Sequence, residues 1–304
     1  MIADDDVFTD LRPLLFTVAY DLLGSAVDAD DILQDCYLRW RHRPSGGVDD
    51  PRAYLVTTVS RACLNHLRTV RRRRETYVGN WLPEPIRTTE DAGTDAVLAE
   101  SVSFAMLLVL ETLSPIERAV FVLHDVFGYP HAEIATMVGK SGPAVRQIAH
   151  RARQHVQARR PAPDDEARAG ESRRERAGAD LVAEFLHAAH TGDIDALLTL
   201  LAPDVVQISD GGGQVHAARH PITGARKVAT FAMGLARSAM SGARVEMCTV
   251  NGSAAAIFTL HGTLDSVAVF ETTHGRISRF YAIRNPDKLT TVDEPRRLDR
   301  GRKN

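Results

Sequence analysis

The hydrophobic period changes partway along the chain, and this change restricts the folds open to it. Up to residue 156 apolar side chains recur at helical spacing, whereas beyond residue 205 they alternate every second position. Between the two, residues 158–179 are Arg, Ala, Pro, Glu and Gly with almost no large apolar residue, which predicts a flexible linker. A helical part followed by an α+β part is therefore expected, and 304 residues suit two or three domains.

Helices are predicted over 8–23, closed by Gly24, over 28–43, stopped by Pro44 and Gly46-Gly47, and from Pro51 to about Arg74. Residues 79–95 hold Gly79, Pro83, Pro85 and Gly93 and no period, so they read as a first linker. Residues 94–112 are helical again. Ser114-Pro115-Ile116-Glu117 is a capping box with Pro at the first helical position, opening a helix to about Phe127. Short helices over 131–138 and 143–156 follow. In the second part a helix over 179–201 precedes alternating runs at 205–209, 243–250, 254–260, 266–270 and 277–283, with one more helix over 225–239. The runs predict a helix-covered, curved antiparallel sheet.

Net charge is −2, from 37 basic and 39 acidic residues, which argues against a uniformly basic nucleic-acid-coating protein. The charge is segregated, however. The first 35 residues carry nine Asp and one base, Arg12. Residues 36–74 carry ten Arg and two acids, and residues 140–160 carry six bases and no acid. This implies one acidic surface and two basic ones. No apolar run approaches the ~18 residues of a membrane span. The acidic start MIADDDVFTD is no secretory signal. Cys36, Cys63 and Cys248 are scattered without metal-ligand spacing, so a reducing cytoplasm, no metal and no cofactor are expected.

On the second helix Ala29, Ile32, Leu33, Cys36 and Trp40 form an apolar stripe. The opposite face presents Asp31, Gln34, Asp35 and Leu38, a leucine framed by acids, as a protein-docking face would; an ordinary solvated face reads the same way. On the third helix Arg61, Asn65, Arg68 and Arg72 lie opposite the apolar side, with Arg able to hold phosphates and Asn a base. Tyr54 and Trp40 lie near enough to stack on bases, with core packing as the alternative. The run from Gly128 to Arg153 has helix-turn-helix form, turning at Gly139. Its second helix directs Pro143, Arg146, Gln147, His150 and Arg151 outward, and Gln and Arg make bidentate contacts to adenine and guanine.

Taken in order, Asp28-Ala29-Asp30-Asp31-Ile32 with Gln34-Asp35, Tyr54-Leu55 with Leu67-Arg68, Leu113-Ser114-Pro115 with Arg118-Ala119-Val120-Phe121, and Glu133-Ile134-Ala135 with Val145-Arg146 and Arg151-Ala152-Arg153 resemble a bacterial RNA polymerase sigma factor of the extracytoplasmic-function class. Trp81-Leu82-Pro83-Glu84-Pro85, Asp210-Gly211-Gly212-Gly213 and Asn285-Pro286-Asp287-Lys288-Leu289 are similar to the subgroup with a fused SnoaL-like (NTF2-like) C-terminal domain, the sigma factor J type. The resemblance implies sigma region 2 over 1–78, the linker over 79–95, sigma region 4 over 96–158, a flexible linker over 159–178, a SnoaL-like cone over 179–290 and a tail over 291–304.

It further implies a non-catalytic, cytoplasmic specificity subunit, monomeric when free, serving stress-type transcription. Asp31, Gln34, Asp35 and Leu38 would meet the β′ clamp of core RNA polymerase. Arg61, Asn65, Arg68 and Arg72, with the loop at 44–50, would open and read the −10 element of promoter DNA. Pro143, Arg146, Gln147, His150 and Arg151 would read the −35 element. The linker motif and the two C-terminal motifs would regulate in cis, with Trp81 as a buried anchor. Gln214 stands where the family pattern often has Lys, which removes the cation that would pair with Glu84 from that position. The competing readings are a small-molecule enzyme or ligand sensor fused to a DNA-binding module, and a stand-alone helix-turn-helix regulator. In the first, an unknown small ligand would fill the cone, with Asp210 as general base and His216, His220, His261 and Glu271 lining it. No second carboxylate or nucleophile completes that constellation, and Asp210 with its glycines also reads as a capped turn.

Overall fold

The computed structural model describes residues 4–43, 48–75, 77–88, 103–159, 171–238, 240–296, 298 and 299. The loop positions 44–47 and the side chain of Arg72 lie outside the described residues.

The first helix, α1 (Asp4–Leu23), ends where Gly24 turns at φ 68°, and α2 (Ala26–Arg41) begins at once on the Ser25 cap. The predicted start at 28 was too late because Ser25, not Asp28, supplies the cap; its hydroxyl accepts from the Asp28 N–H. Helix α3 (Pro51–Glu75) packs on both. After the linker come α4 (Phe104–Glu111) and α5 (Pro115–Phe121), the latter opened by the complete Ser114–Glu117 capping box. One π-helical stretch (Val122–Val126) follows, then α6 (His131–Val138) and α7 (Gly142–Gln157). Gly139, at φ 66°, makes the left-handed turn between α6 and α7. The apolar faces of these helices share one core that runs from Phe8 to Val156, so the two helical regions are packed together.

The second part opens with α8 (Glu171–Thr191) and α9 (Ile194–Leu200). Helix α8 starts inside the segment expected to be a linker. Its first turns are charged and poor in apolar residues, which hid them from a periodicity argument. The strands are β1 (Leu201–Asp210), β2 (Ile222–Thr223), β3 (Arg244–Val250), β4 (Ser253–Leu260), β5 (Thr263–Thr273) and β6 (Arg276–Ile283), with α10 (Ala225–Arg237) between β2 and β3. They form one sheet in the order β2-β1-β6-β5-β4-β3.

The sheet is mixed, which corrects the expectation of a purely antiparallel one. β1 runs parallel to β6, a pairing that joins the first and last long strands and leaves no local sequence signal. The three hairpins from β3 to β6 turn on Asn251-Gly252, His261-Gly262 and His274-Gly275, every residue of which has φ between 50° and 81°. Both turn residues at positive φ define the tight hairpin whose twist suits a sheet. One sheet face is covered by α8 and α10 around Phe185, Phe270 and Phe280. The other face packs Val250, Ile257, Val269, Tyr281 and Ile283 against Leu82 of the linker and Phe104 of α4. The C-terminal cone thus uses its outer sheet face to hold the helical part.

Candidate functional site

The exposed faces lie where periodicity put them. Asp31, Gln34, Asp35 and Leu38 are all exposed on α2, Leu38 at 43%, while Ile32, Leu33, Cys36 and Trp40 are buried beneath. On α3, Arg61, Asn65 and Arg68 are exposed. Trp40 is core, 2% exposed under the Arg43 guanidinium, whereas Tyr54 beside it is 44% exposed. Pro143, Arg146, Gln147, His150 and Arg151 are exposed along α7 over buried Val145, Ile148, Ala149 and Ala152.

One of the α3 residues is engaged elsewhere. Arg61 donates from Nε to the Met137 carbonyl at 3.2 Å and from Nη2 to the Thr136 carbonyl at 2.8 Å. These carbonyls end α6, where the helix dipole favours a cation. A second bolt runs the other way. Arg118 of α5 is buried against α1, with its Nε donating to the Asp21 carbonyl and its Nη1 paired with Glu111. Burial lowers its pKa to about 10, while the Asp21 carboxylate beside it acts in the opposite sense.

The densest polar constellation joins the linker to the cone. Asp210, at the end of β1, is fully buried. It accepts from the Tyr77 hydroxyl at 2.6 Å, the Leu82 N–H at 2.9 Å, the Gly212 N–H at 2.9 Å and Lys288 Nζ at 2.7 Å. Lys288 Nζ also donates to the Leu82 carbonyl and sits 4.2 Å from the Trp81 ring centroid. Asn285 donates to the Tyr77 hydroxyl at 2.8 Å, and burial together with the bond to Asp210 raises the Tyr77 pKa. A Cβ on Gly213 would stand 3.0 Å from the Val78 Cβ, and one on Gly212 2.5 Å from Asn285 Nδ2, so Gly213 admits the linker and Gly212 admits Asn285.

Leu82, rather than Trp81, is the anchor on the sheet; it is buried in the sheet-face core, and Trp81 is only half-buried. Pro83 and Pro85 are buried on either side of Glu84. Glu84 turns toward α2, where it accepts from Ser25 Oγ and the Ala26 N–H at 2.7 Å and from the Val27 N–H at 3.1 Å. Burial raises its pKa against these hydrogen bonds. Gln214 bonds instead to Asn285 and Asp287. Pro286 opens the short 3-10 turn that carries Lys288, and Leu289 closes it into the sheet-face core.

Asn251 was missed by the sequence reading. From its tight turn it donates to the Tyr20 hydroxyl of α1 at 2.8 Å and accepts from the Ile86 N–H at 3.1 Å. An Asn-Gly pair signals a hairpin, and nothing in it signals a partner 231 residues away. Arg296 likewise reaches Asp30 of α2 at 2.7 Å.

The residues of the alternative constellation lie in different settings. His216, His220 and His261 are exposed, and His261 is a turn residue at φ 51°. Glu271 is held by the Tyr281 hydroxyl at 2.6 Å. Both Asp210 oxygens are occupied by the four donors above.

Two helical regions, one with an exposed acidic helix face and one with a helix-turn-helix, are the frame of a sigma subunit of RNA polymerase. The Sigma-70 region 2 family matches residues 7–73 and the Sigma-70 region 4 family residues 103–156. The chain is 39% identical over 302 residues to the ECF RNA polymerase sigma factor SigJ of Mycobacterium tuberculosis, covering 93% of this chain and 92% of that protein. It is 34% identical over 197 residues to the probable ECF sigma factor SigI of the same species, covering 64% of this chain and 65% of that one. The crystal structure of Mycobacterium tuberculosis SigJ superposes with a TM-score of 0.74 at 35% identity, covering 94% of this chain and 98% of that one. The chain belongs to the extracytoplasmic-function sigma factors, and so serves transcription initiation with core RNA polymerase and promoter DNA.

Proposed function

We propose that this sigma factor docks on the β′ clamp through Asp31, Gln34, Asp35 and Leu38. It reads the −10 element from α3 and the −35 element from α7, and its C-terminal cone sets its activity in cis. The linker between Tyr77 and Thr88 is the working part. One end of it closes the buried Asp210–Lys288 pair, and its Glu84 caps the docking helix α2.

The observation that carries this reading is the position of Arg61, bonded to the end of α6. Elements at −10 and −35 lie ~25 base pairs apart, about 85 Å along B-DNA at ~3.4 Å per base pair. Helices in contact lie only ~8–10 Å apart. A protein whose −10 helix touches its helix-turn-helix does not span both elements. The arrangement stabilised by the linker is therefore a closed one, which polymerase binding must open. Arg61 and Arg118 would then exchange their internal partners for DNA and water.

Run-off transcription with purified core polymerase tests this. Full-length protein, residues 1–160 and Trp81→Ala are compared on a promoter selected by the holoenzyme. Altered output from the truncated and substituted forms is expected. Absence of any promoter-dependent transcript would remove the promoter-reading assignment, and equal output from all three would remove regulation in cis.

A further inference from the structure

The C-terminal cone has its own charge asymmetry. Its acids lie before Gly211 and after Val245; the 35 residues between hold Arg219, Arg226, Lys227, Arg237 and Arg244, two histidines and no acid. All five bases are exposed. Among the described residues none of them forms an ion pair, in contrast to Arg279, Arg284 and Lys288 on the neighbouring strand and turn. Arg219 precedes β2 at the sheet edge, and Arg226 and Lys227 occupy the first turn of α10 directly after β2.

This edge is joined to the −10 helix. Helix α3 carries Arg71–Arg74 in its last turns and ends at Glu75. Five residues later Asn80 donates from Nδ2 to the carbonyls of Ser209, Ala218 and Arg219 at 3.3–3.4 Å. Two residues after α3, Tyr77 is bonded to Asp210. The basic edge of the cone is thus tethered within a few residues of the basic end of α3. It stays near whatever DNA that helix engages, even when Arg61 leaves α6.

We infer that Arg219, Arg226 and Lys227 form a third DNA contact, taking the phosphate backbone of promoter DNA beside the −10 element. Exposed bases that form no ion pair among the described residues, on a stretch of chain that holds no acid, are suited to phosphates, which position a protein without reading sequence. The inference rests on the proposed reading of α3 and adds to it a DNA-binding role for the cone.

The test uses holoenzyme made with full-length protein. Binding to fluorescent promoter duplex is followed across salt for the wild type, for Arg219→Gln/Arg226→Gln/Lys227→Gln, and for Arg219→Lys/Arg226→Lys. Each lost phosphate contact lowers the log–log salt slope by ~0.9, so the triple variant should lose about 2–3 in slope, and equally so on duplex without promoter elements. The lysine variant should keep the wild-type slope, and affinity for core polymerase without DNA should be unchanged for both. An unchanged slope in the triple variant overturns the inference. So does a fall in core affinity, which would make the surface a polymerase contact. Failure of the underlying reading is separate, because it shows already in the wild type as equal binding to promoter and non-promoter duplex.

Discussion

Replacing Asp210 by Asn changes one atom of the side chain and removes the negative charge from the centre of the linker clamp. Lys288, 6% exposed, then loses the carboxylate it donates to. The Tyr77 hydroxyl and Leu82 N–H keep at most one good acceptor between them. Breaking a buried pair by removing one partner costs ~3–5 kcal/mol. At about 1.4 kcal/mol per factor of ten, this shifts linker attachment by roughly two to three and a half powers of ten toward release. Trp81 reports it, because its ring lies 4.2 Å from Lys288 Nζ. The other tryptophan, Trp40, is buried in the helical core and is removed by a Trp40→Phe background. Release should red-shift Trp81 emission and expose the linker to protease well below the unfolding midpoint. Adding Lys288→Met should restore much of the stability by removing the buried charge. A loss under ~1 kcal/mol with unchanged Trp81 emission would refute the argument that this pair holds the linker.

Glu84→Gln should destabilise the protein by about 1–3 kcal/mol, since a charged, buried acceptor of three donors is lost. Hydrogen exchange should quicken first at Ala26 and Val27. Burial raises the Glu271 pKa, so the folded state binds more protons than the unfolded one between the ordinary carboxylate value of 4.5 and the raised value. Wild-type stability relative to Glu271→Gln should therefore fall as pH rises through that window, and parallel urea curves from pH 5 to 8 would contradict this. Gln147→Ala should cost ~1–3 kcal/mol of discrimination at one −35 base pair, read by competition with single-base variants. Asp35→Arg should abolish core binding while leaving the thermal midpoint unchanged, because the residue is exposed and the helix beneath it intact.

The sequence was most legible where structure is local. The outward residues of α2, α3 and α7 follow from a 3.6-residue period, and the Ser114–Glu117 box forms as written. The linker motif and Asp210 were drawn together by resemblance, but their bonding was not readable. Tyr77 and Asp210 are 133 residues apart, and Arg61 and Thr136 are 75 apart. Such pairs depend on how finished domains dock, and a period within one element carries no trace of that. Arg118 shows the limit most clearly. In the sequence it is only part of a motif, and its burial against Asp21 of α1 follows from the packing of the two helical regions.

The linker clamp also has a consequence for synthesis. Regions 2 and 4 are complete once Arg159 is made, whereas Lys288, which closes the Asp210 pair, lies 129 residues further on. At ~5–20 residues per second the ribosome needs about 6–26 s to reach it. For that interval the nascent helices exist without the group that holds their linker. Polymerase meeting the chain then would encounter an unrestrained sigma subunit, so the extent of restraint in a cell depends on how fast translation runs relative to capture.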